Sequence, residues 1–390
     1  VVGAAFYDLE RVEVLKGPQG ILYGRNATGG TVNIIPARPE LGYTGGGVNF
    51  GYGNYNDVSL DGFVNLEVSD NSALRVSGMH QSHDGYNRDG TDDLSRSGFR
   101  AQFLIEPTDT VSVRIAGDWT GLTGKGAGAG YVGRFQGQTY IPAPAAIADG
   151  FEGMGTDAAN AYRGTVLGAP GFGFLNPLGR EQELDFTFWG VNAEVNIETG
   201  LGDLTFIPAY RENDGYSYFN GPAFNPAFSG GSASQFSSEL RLAGSSGPID
   251  YIVGGFYLKE EYDNIGQYNQ EFVLPTLNYH GETESWAAFG QLTANITDQF
   301  RLVGGLRYTR DNKLIAGGIN NLITFCGGIP LTTPPASFGV VGTAGVGCQA
   351  PGNLPHYPDF NTIEEGLDWL IAEGWIDPGS TIDQPNPVYP

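Results

Sequence analysis

Asp89, Asp92 and Asp93 crowd one short stretch of the chain, and carboxylates so placed could draw a calcium ion. Their spacing is not that of an EF-hand loop and the distal Glu is absent, so a solvated loop is the better reading. His80 and His83 flank Gln81-Ser82 beside Asp84 and could offer two imidazoles to a divalent metal. A strand end entering a polar loop accounts for them more simply. Gly126, Gly128 and Gly130 are spaced like a dinucleotide-binding turn but lack the strand before and the helix after. Gly124-Lys125 is followed by Gly126, where a phosphate-binding loop needs Ser or Thr. None of these groups assembles a catalytic centre. The sequence calls for no enzyme, no resident metal and no cofactor.

A second set of residues suits recognition. Arg134, Arg163 and Arg180 could attract an anionic ligand. Tyr140, Tyr216 and Tyr218 belong to a crowd of aromatic residues, able to stack on a flat ligand or to pack on one another. Arg134, Tyr140, Arg163, Tyr216 and Tyr218 are the candidate ligand contacts. Cys326 and Cys348 flank a Gly/Pro/Thr-rich stretch. An even count in an exported chain suggests a disulfide contributing about 3 kcal/mol by loop closure, with free thiols or a metal pair as alternatives. The net charge of -23 argues against a nucleic-acid partner, whose phosphates need a basic surface.

The elements that must hold these residues are strands. With 61 glycines, 12% aromatic and 16% charged residues, the composition suits a sheet protein with many tight turns. No apolar run reaches about 18 residues, which leaves a closed barrel as the way across a bilayer. Between Tyr43 and Asp311, segments of about ten residues alternate in polarity. Val111, Val113, Ile115 and Trp119 fall on one face, Ser112, Arg114, Ala116 and Asp118 on the other. Phe99, Ala101 and Phe103 likewise oppose Arg100 and Gln102, and Leu302, Leu306 and Tyr308 oppose Arg301 and Arg307. The apolar rows are assigned to lipid, because an Arg at the bilayer midplane costs about 2–4 kcal/mol. The polar rows then face a wet or plug-filled lumen.

Connections alternate short and long. The short ones fall near 69–71, 106–109, 199–202, 244–248 and 297–299; the long ones span 81–97, 121–182, 213–233, 261–281 and everything after 312. Outer-membrane barrels keep short turns on one side and long loops on the other. About eleven antiparallel strands are expected, against about 22 in the largest outer-membrane transporters. Thr362 and Glu365 form a capping box ahead of Ile363, Leu367, Leu370 and Ile371, which predicts a short amphipathic helix in an outer loop.

The opening segment is the most specific part of the chain. Glu10-Arg11-Val12-Glu13-Val14-Leu15-Lys16-Gly17-Pro18 leads to Leu22-Tyr23-Gly24, then Gly29-Gly30, then Asn33-Ile34. The glycines permit tight turns and positive φ, and Thr31 and Asn33 can satisfy backbone groups at the turn. In this order the residues resemble the last part of the plug domain of TonB-dependent outer-membrane receptors. Arg11, Glu13, Gly17, Pro18, Tyr23, Gly24, Gly29, Gly30 and Asn33 carry the match. Pro36-Ala37-Arg38-Pro39 departs from the family, which usually has a Thr-Lys-like pair before the Arg/Lys-Pro. Similarity continues at 92–120, 236–261 and 285–310.

The resemblance implies an all-β protein, with residues 1–39 as the C-terminal part of a plug. Residues 40–390 would be the N-terminal half of an antiparallel transmembrane β-barrel, ending in an outer loop with a short helix. The start at Val1, inside the plug pattern, reads as a fragment truncated at both ends. The resemblance further implies a monomer in the outer membrane of a Gram-negative bacterium, in contact with membrane lipid. It would take up a small scarce ligand, most often a ferric siderophore, with TonB pulling on an N-terminal box that this chain does not contain. Saccharide or cobalamin uptake is the nearest alternative; a passive porin or a soluble β-sandwich adhesin belongs to another class. Within this frame Glu239 and Arg241 share the polar, lumenal face with Gln235 and Ser237. Arg11 and Arg25 lie in the plug. At least one plug Arg is expected to pair with a lumenal carboxylate such as Glu239, seating the plug while leaving it removable.

Overall fold

The computed structural model describes residues 6–18, 20–21, 27–136, 138–166, 178, 181–221, 224–268, 273–297, 299–323, 363–372 and 378–379. Strands β1 (Leu9–Lys16) and β2 (Gly30–Pro36) form an antiparallel hairpin with its own sheet. β3 (Gly45–Tyr52), β4 (Val58–Ser69), β5 (Ser72–His83), β6 (Leu94–Thr108) and β7 (Val111–Gly124) follow. A long connection then carries a second small hairpin, β8 (Gly133–Gln136) and β9 (Thr139–Pro142), and helix α1 (Asp157–Val166). β10 (Glu183–Thr199), β11 (Gly202–Gly221), β12 (Phe224–Ser246), β13 (Ile249–Tyr268), β14 (Val273–Thr297) and β15 (Phe300–Ile323) complete the strands. Helix α2 (Ile363–Ala372) lies where the capping box predicts it.

The eleven strands β3–β7 and β10–β15 make one antiparallel sheet in chain order, with β3 and β15 at its two edges. The small hairpin touches residues of β5, β6, β10 and β15, so it lies in the concavity of this wall. The two faces separate as the alternation predicts. Ile115 is 55% exposed on the outer face, whereas its neighbour Ala116 is buried and Arg114 bonds within the concavity.

Aromatic side chains cross the outer face in a single row. Phe99 opposes Trp119, which opposes Trp189; Tyr210 opposes Phe236, and Tyr257 opposes Trp286. The gaps are closed by ring contacts of 5.5 Å between Trp189 and Tyr210, 6.2 Å between Phe236 and Tyr257, and 5.4 Å between Trp286 and Tyr308. Toward the short turns the outer face carries exposed Ile115, Val191, Phe206, Leu240, Val253, Leu292 and Leu306. Beyond the row it carries charge: Tyr210 donates to Glu212, Tyr257 to Glu284, and Lys259 pairs with Glu261. Amphipathic rings between an apolar band and a charged band mark the membrane–water boundary.

Two expected outer loops are not loops. Residues 213–233 and 261–281 lie mostly in β11–β14, and β15 runs on past Asn312 to Ile323. With 25 residues, β14 extends about 80 Å at ~3.3 Å per residue, whereas a tilted strand crosses a bilayer in about 9–11. The excess stands as paired hairpins outside the membrane. Polar and glycine-rich sequence there reads as loop, but the cross-strand ladder satisfies its backbone.

Candidate functional site

The strongest contacts of the small hairpin gather at one end. Asp8, just before β1, accepts from Arg75 of β5 through both carboxylate oxygens, at 2.9 and 2.5 Å. Both side chains are almost completely withdrawn from water, 9% and 6% exposed. The Phe63 ring backs the Arg75 guanidinium at 3.8 Å. The Asp8 carbonyl accepts from the Ala37 N–H, so the pair braces both ends of the hairpin.

A second cluster lies alongside. Gln102 Nε2 donates to the Ala37 carbonyl at 2.6 Å, and Gln102 Oε1 accepts from Arg114 at 3.1 Å. Arg114 in turn donates to Glu194 at 3.0 Å, and Arg38 donates to both Glu194 oxygens at 3.1 Å. Arg38 thus joins the segment after β2 to the wall through Glu194, a pair other than the expected ones with Glu239. Arg11 instead pairs with Glu10 and Glu13 inside the hairpin, and Glu239 pairs with Arg241 at 3.5 Å. Alternation placed Gln102 and Arg114 on the inner face; nothing in the sequence distinguished Asp8 or Arg75.

The hairpin parts two spaces. Asn33 borders a cavity of about 840 Å³ that runs along the wall to the short turns and is also lined by Glu239, Arg241, Arg307 and Phe289. The next residue, Ile34, points to the opposite face and borders a cavity of about 660 Å³ at and above the aromatic row. That outer cavity is lined by Tyr7, Arg100, Arg114, Asp118, Arg211 and Gln235. Tyr7 is 5% exposed and its hydroxyl has no hydrogen-bond partner. Burial pushes this phenol up to about 12, against the opposing pull of Arg100, whose guanidinium lies 4.7 Å from the ring centre.

The plug-motif residues have local roles. Gly17 adopts a φ of +85° and donates its N–H to the Gly29 carbonyl. Gly30 has a φ of +141°, and a Cβ there would lie 2.5 Å from the Leu15 carbonyl oxygen, so only glycine fits. Glu13 accepts from Arg11 and from Asn33, which holds its carboxyl below the usual range. Pro18 ends the described part of the turn, and Tyr23, Gly24 and Arg25 lie outside the described residues.

The candidate ligand residues do not converge. Arg163 of α1 is fully buried and donates to the Gly221 carbonyl at 3.1 Å and to the Tyr131 hydroxyl at 3.4 Å. It ties α1 to the end of β11 and is not presented to a ligand. Tyr216 and Tyr218 share their strand face with Phe206, the outer face of the wall, and cluster with Phe228. Tyr216 donates to Glu183 at 3.0 Å. Arg134 and Tyr140 sit in the β8–β9 hairpin, where the Tyr140 hydroxyl donates to the Val132 carbonyl. Arg180, Cys326 and Cys348 lie outside the described residues.

The acidic trio is engaged in the loops themselves. Asp89 accepts from the Thr91 and Gly155 N–H groups, Asp92 from that of Gly128, and Asp93 from those of Lys125 and Gly126. These carboxylates staple one outer loop to the next. Among the described residues no group of three His, Cys, Asp or Glu is arranged for a metal. Arg88 adds a clamp, donating to Asp149 at 2.5 Å and Glu152 at 2.6 Å. Asp149 is held below the usual carboxylate range by Arg88, and Glu152 by the Thr156 hydroxyl and then Arg88. Helix α1 has no counterpart in the sequence reading, which assigned 121–182 to loop. Its signal is Thr156, whose hydroxyl accepts from the Ala159 N–H as an N-cap, followed by Asp157 in the first turn.

Residues 4–31 match the family model described as TonB-dependent Receptor Plug Domain. The pesticin receptors of Yersinia enterocolitica and Yersinia pestis are 26% identical to this chain over 333 residues, covering 79% of it. The chain spans only 42% of their length. Among solved structures, the ferric yersiniabactin uptake receptor FyuA from Yersinia pestis aligns with 82% of this chain and 48% of its own, at a TM-score of 0.64 and 19% identity. The ferripyoverdine receptor of Pseudomonas aeruginosa aligns with 81% of this chain and 43% of its own, at 0.61 and 16% identity. The ferric-catecholate import receptor Fiu from E. coli K12 aligns with 85% and 54%, at 0.58 and 17% identity.

Proposed function

Starting from a chain that belongs to the TonB-dependent receptors of the Gram-negative outer membrane, we propose that the whole protein imports a ferric siderophore. The observation that carries this reading is the 660 Å³ outer cavity. It is of small-molecule size, it lies on the outer side of the hairpin, and its lining combines three guanidinium groups, two of them paired with Glu194 and Asp118, with four carboxylates and the buried Tyr7 phenol, whose hydroxyl has no partner. Ferric chelates of catecholate, hydroxamate or carboxylate type present oxygen-rich, commonly anionic surfaces. Arg100 can attract such a surface and the Tyr7 hydroxyl can donate to it, while Arg114 and Arg211 are held by Glu194 and Asp118. The names of the Yersinia, Pseudomonas and E. coli structures, each a receptor for an iron chelate, point the same way.

TonB supplies the energy in this reading, acting on the plug. Residues 1–39 act as plug and the remainder as wall and outer loops. The protein works as a monomer surrounded by lipid. Deletion of the gene, followed by growth in iron-limited medium with single purified siderophores of the three chelate types, tests the proposal. Loss of growth on one of them, restored by the wild-type gene, is expected. Unimpaired growth on all three, with loss of growth on a saccharide or on cobalamin, refutes it in favour of that nutrient.

A further inference from the structure

We propose that the outer cavity selects chelates that carry no net negative charge, and that a belt of alternating charge on the wall sets this preference. The proposal rests on the uptake reading and names the class of chelate within it.

The belt is one cross-strand row on the inner face. Arg100 of β6 stands opposite Asp118 of β7, and Asp118 opposite Gly190 of β10. Gly190 stands opposite Arg211 of β11, and the row runs on through Gln235 of β12 to Glu260 of β13. The five side chains of this row all line the cavity. Gly190 is what lets Arg211 reach over β10 to Asp118, at 2.5 Å; a Cβ at 190 would lie 3.0 Å from Arg211 Cγ. Along the wall the charges therefore read plus, minus, plus, minus. Toward the short turns, Arg114 and Glu194 are likewise directly opposed and meet at 3.0 Å. Glu212 and Glu261 also border the cavity, but their carboxylates are held on the outer face by Tyr210 and Lys259. Among the described residues of the lining, each guanidinium thus faces a carboxylate directly across or one strand further on.

Alternation of this kind leaves little net field where a ligand would sit, because attraction to one charge is offset by repulsion from the next. A ferric tris-catecholate is a multiply charged anion. It would leave its hydration shell for a space that offers no surplus of positive charge in exchange. A ferric tris-hydroxamate is neutral, since its ligand charges offset those of the iron, and it gives up less hydration. Its oxygen rim still finds donors: the exposed Arg211 guanidinium, Arg100, the Gln235 amide and the buried Tyr7 hydroxyl. Phe188 and Tyr262 add apolar surface between them.

Two measurements on the purified full-length receptor test this. The first needs no ligand. Gln235→Cys, in a receptor whose other cysteines are serine, is reacted with a cationic and an anionic methanethiosulfonate of similar size, each rate divided by its rate with free cysteine. Uncompensated charge in a cleft concentrates counter-ions by about 10–1,000-fold, so the balanced belt is expected to give equal rates within about threefold. A larger bias of either sign overturns the proposal. Added to this variant, Asp118→Asn leaves Arg211 uncompensated and is expected to move the ratio toward the anionic reagent, whereas Arg211→Gln is expected to move it the other way. Absence of both shifts, in variants with native heat-modifiable mobility, also overturns it. The second measurement is equilibrium binding of iron-55 ferrichrome, a neutral tris-hydroxamate, against ferric enterobactin, an anionic tris-catecholate. The neutral complex is expected to bind at least about tenfold more tightly. Equal or reversed affinities overturn the charge preference while leaving the siderophore reading in place. Binding of neither complex counts against the siderophore reading, and the reagent ratio then decides the charge balance alone.

Discussion

Removing one partner of the Asp8–Arg75 pair should loosen the plug hairpin far more than removing any other ion pair in the lumen. In Asp8→Ala the Arg75 guanidinium keeps its position under the Phe63 ring, 9% exposed and without its carboxylate. A buried charge left unpaired costs about 3–5 kcal/mol, which is roughly two to four orders of magnitude in the equilibrium between seated and released hairpin. Arg38 is 52% exposed, so Arg38→Ala should cost only about 0–1 kcal/mol. In Asp8→Ala/Arg75→Met both charges go together, and most of the loss should be recovered because no ion is left in the apolar site. The assay is maleimide labelling of Ala27→Cys, a buried position, in purified full-length receptor across a urea series. The midpoint of labelling should fall steeply for Asp8→Ala, hardly for Arg38→Ala, and return toward wild type in the double variant. Equal midpoints for Asp8→Ala and Arg38→Ala would show that the pair is not desolvated as described and would refute the reasoning.

Other expectations follow from the wall and the loops. Leu240→Arg puts a charge on the lipid face and should cost about 2–4 kcal/mol, whereas Ser237→Arg on the lumenal face should be tolerated; heat-modifiable mobility on gels separates the two. Arg88 lowers the pKa of Asp149, and the Thr156 hydroxyl and then Arg88 lower that of Glu152, so the clamp stabilises the loop fully above the unfolded carboxylate range, near pH 4–4.5. That contribution is lost as pH falls through the lower, folded values, and hydrogen exchange at 149–156 should accelerate there in wild type but not in Arg88→Met. Thr156→Ala removes the N-cap of α1 and should cost about 1 kcal/mol, seen as faster exchange in the first turn of the helix.

Several features were open to reading before any coordinates. Strict alternation at 99–105 and 111–119 put Gln102 and Arg114 inside and Ile115 and Trp119 outside, because a strand repeats every two residues and lipid rejects a guanidinium. The capping box at Thr362 located α2, although the Thr156 cap of α1 passed unnoticed inside a glycine-rich stretch. The outer hairpins read as loop for a related reason. Segments such as 213–233, rich in Gly, Asn and Ser, read as loop, yet they stand as strands because their backbone is paired on both sides. Tyr216 and Tyr218 looked available to a ligand; register fixed them on the outer surface instead.

The order of residues from Glu10 to Ile34 was enough for a resemblance to a plug domain, and the two-residue rhythm after Tyr43 for an antiparallel wall, since both are local patterns. Which charges meet was decided only by the curvature of the sheet. Asp8 and Arg75 are 67 positions apart, and Arg38 and Glu194 are 156 apart. No short-range spacing relates such pairs. Their meeting depends on how the wall folds round the hairpin, and the burial that gives the Asp8–Arg75 contact its strength exists only once that enclosure has formed.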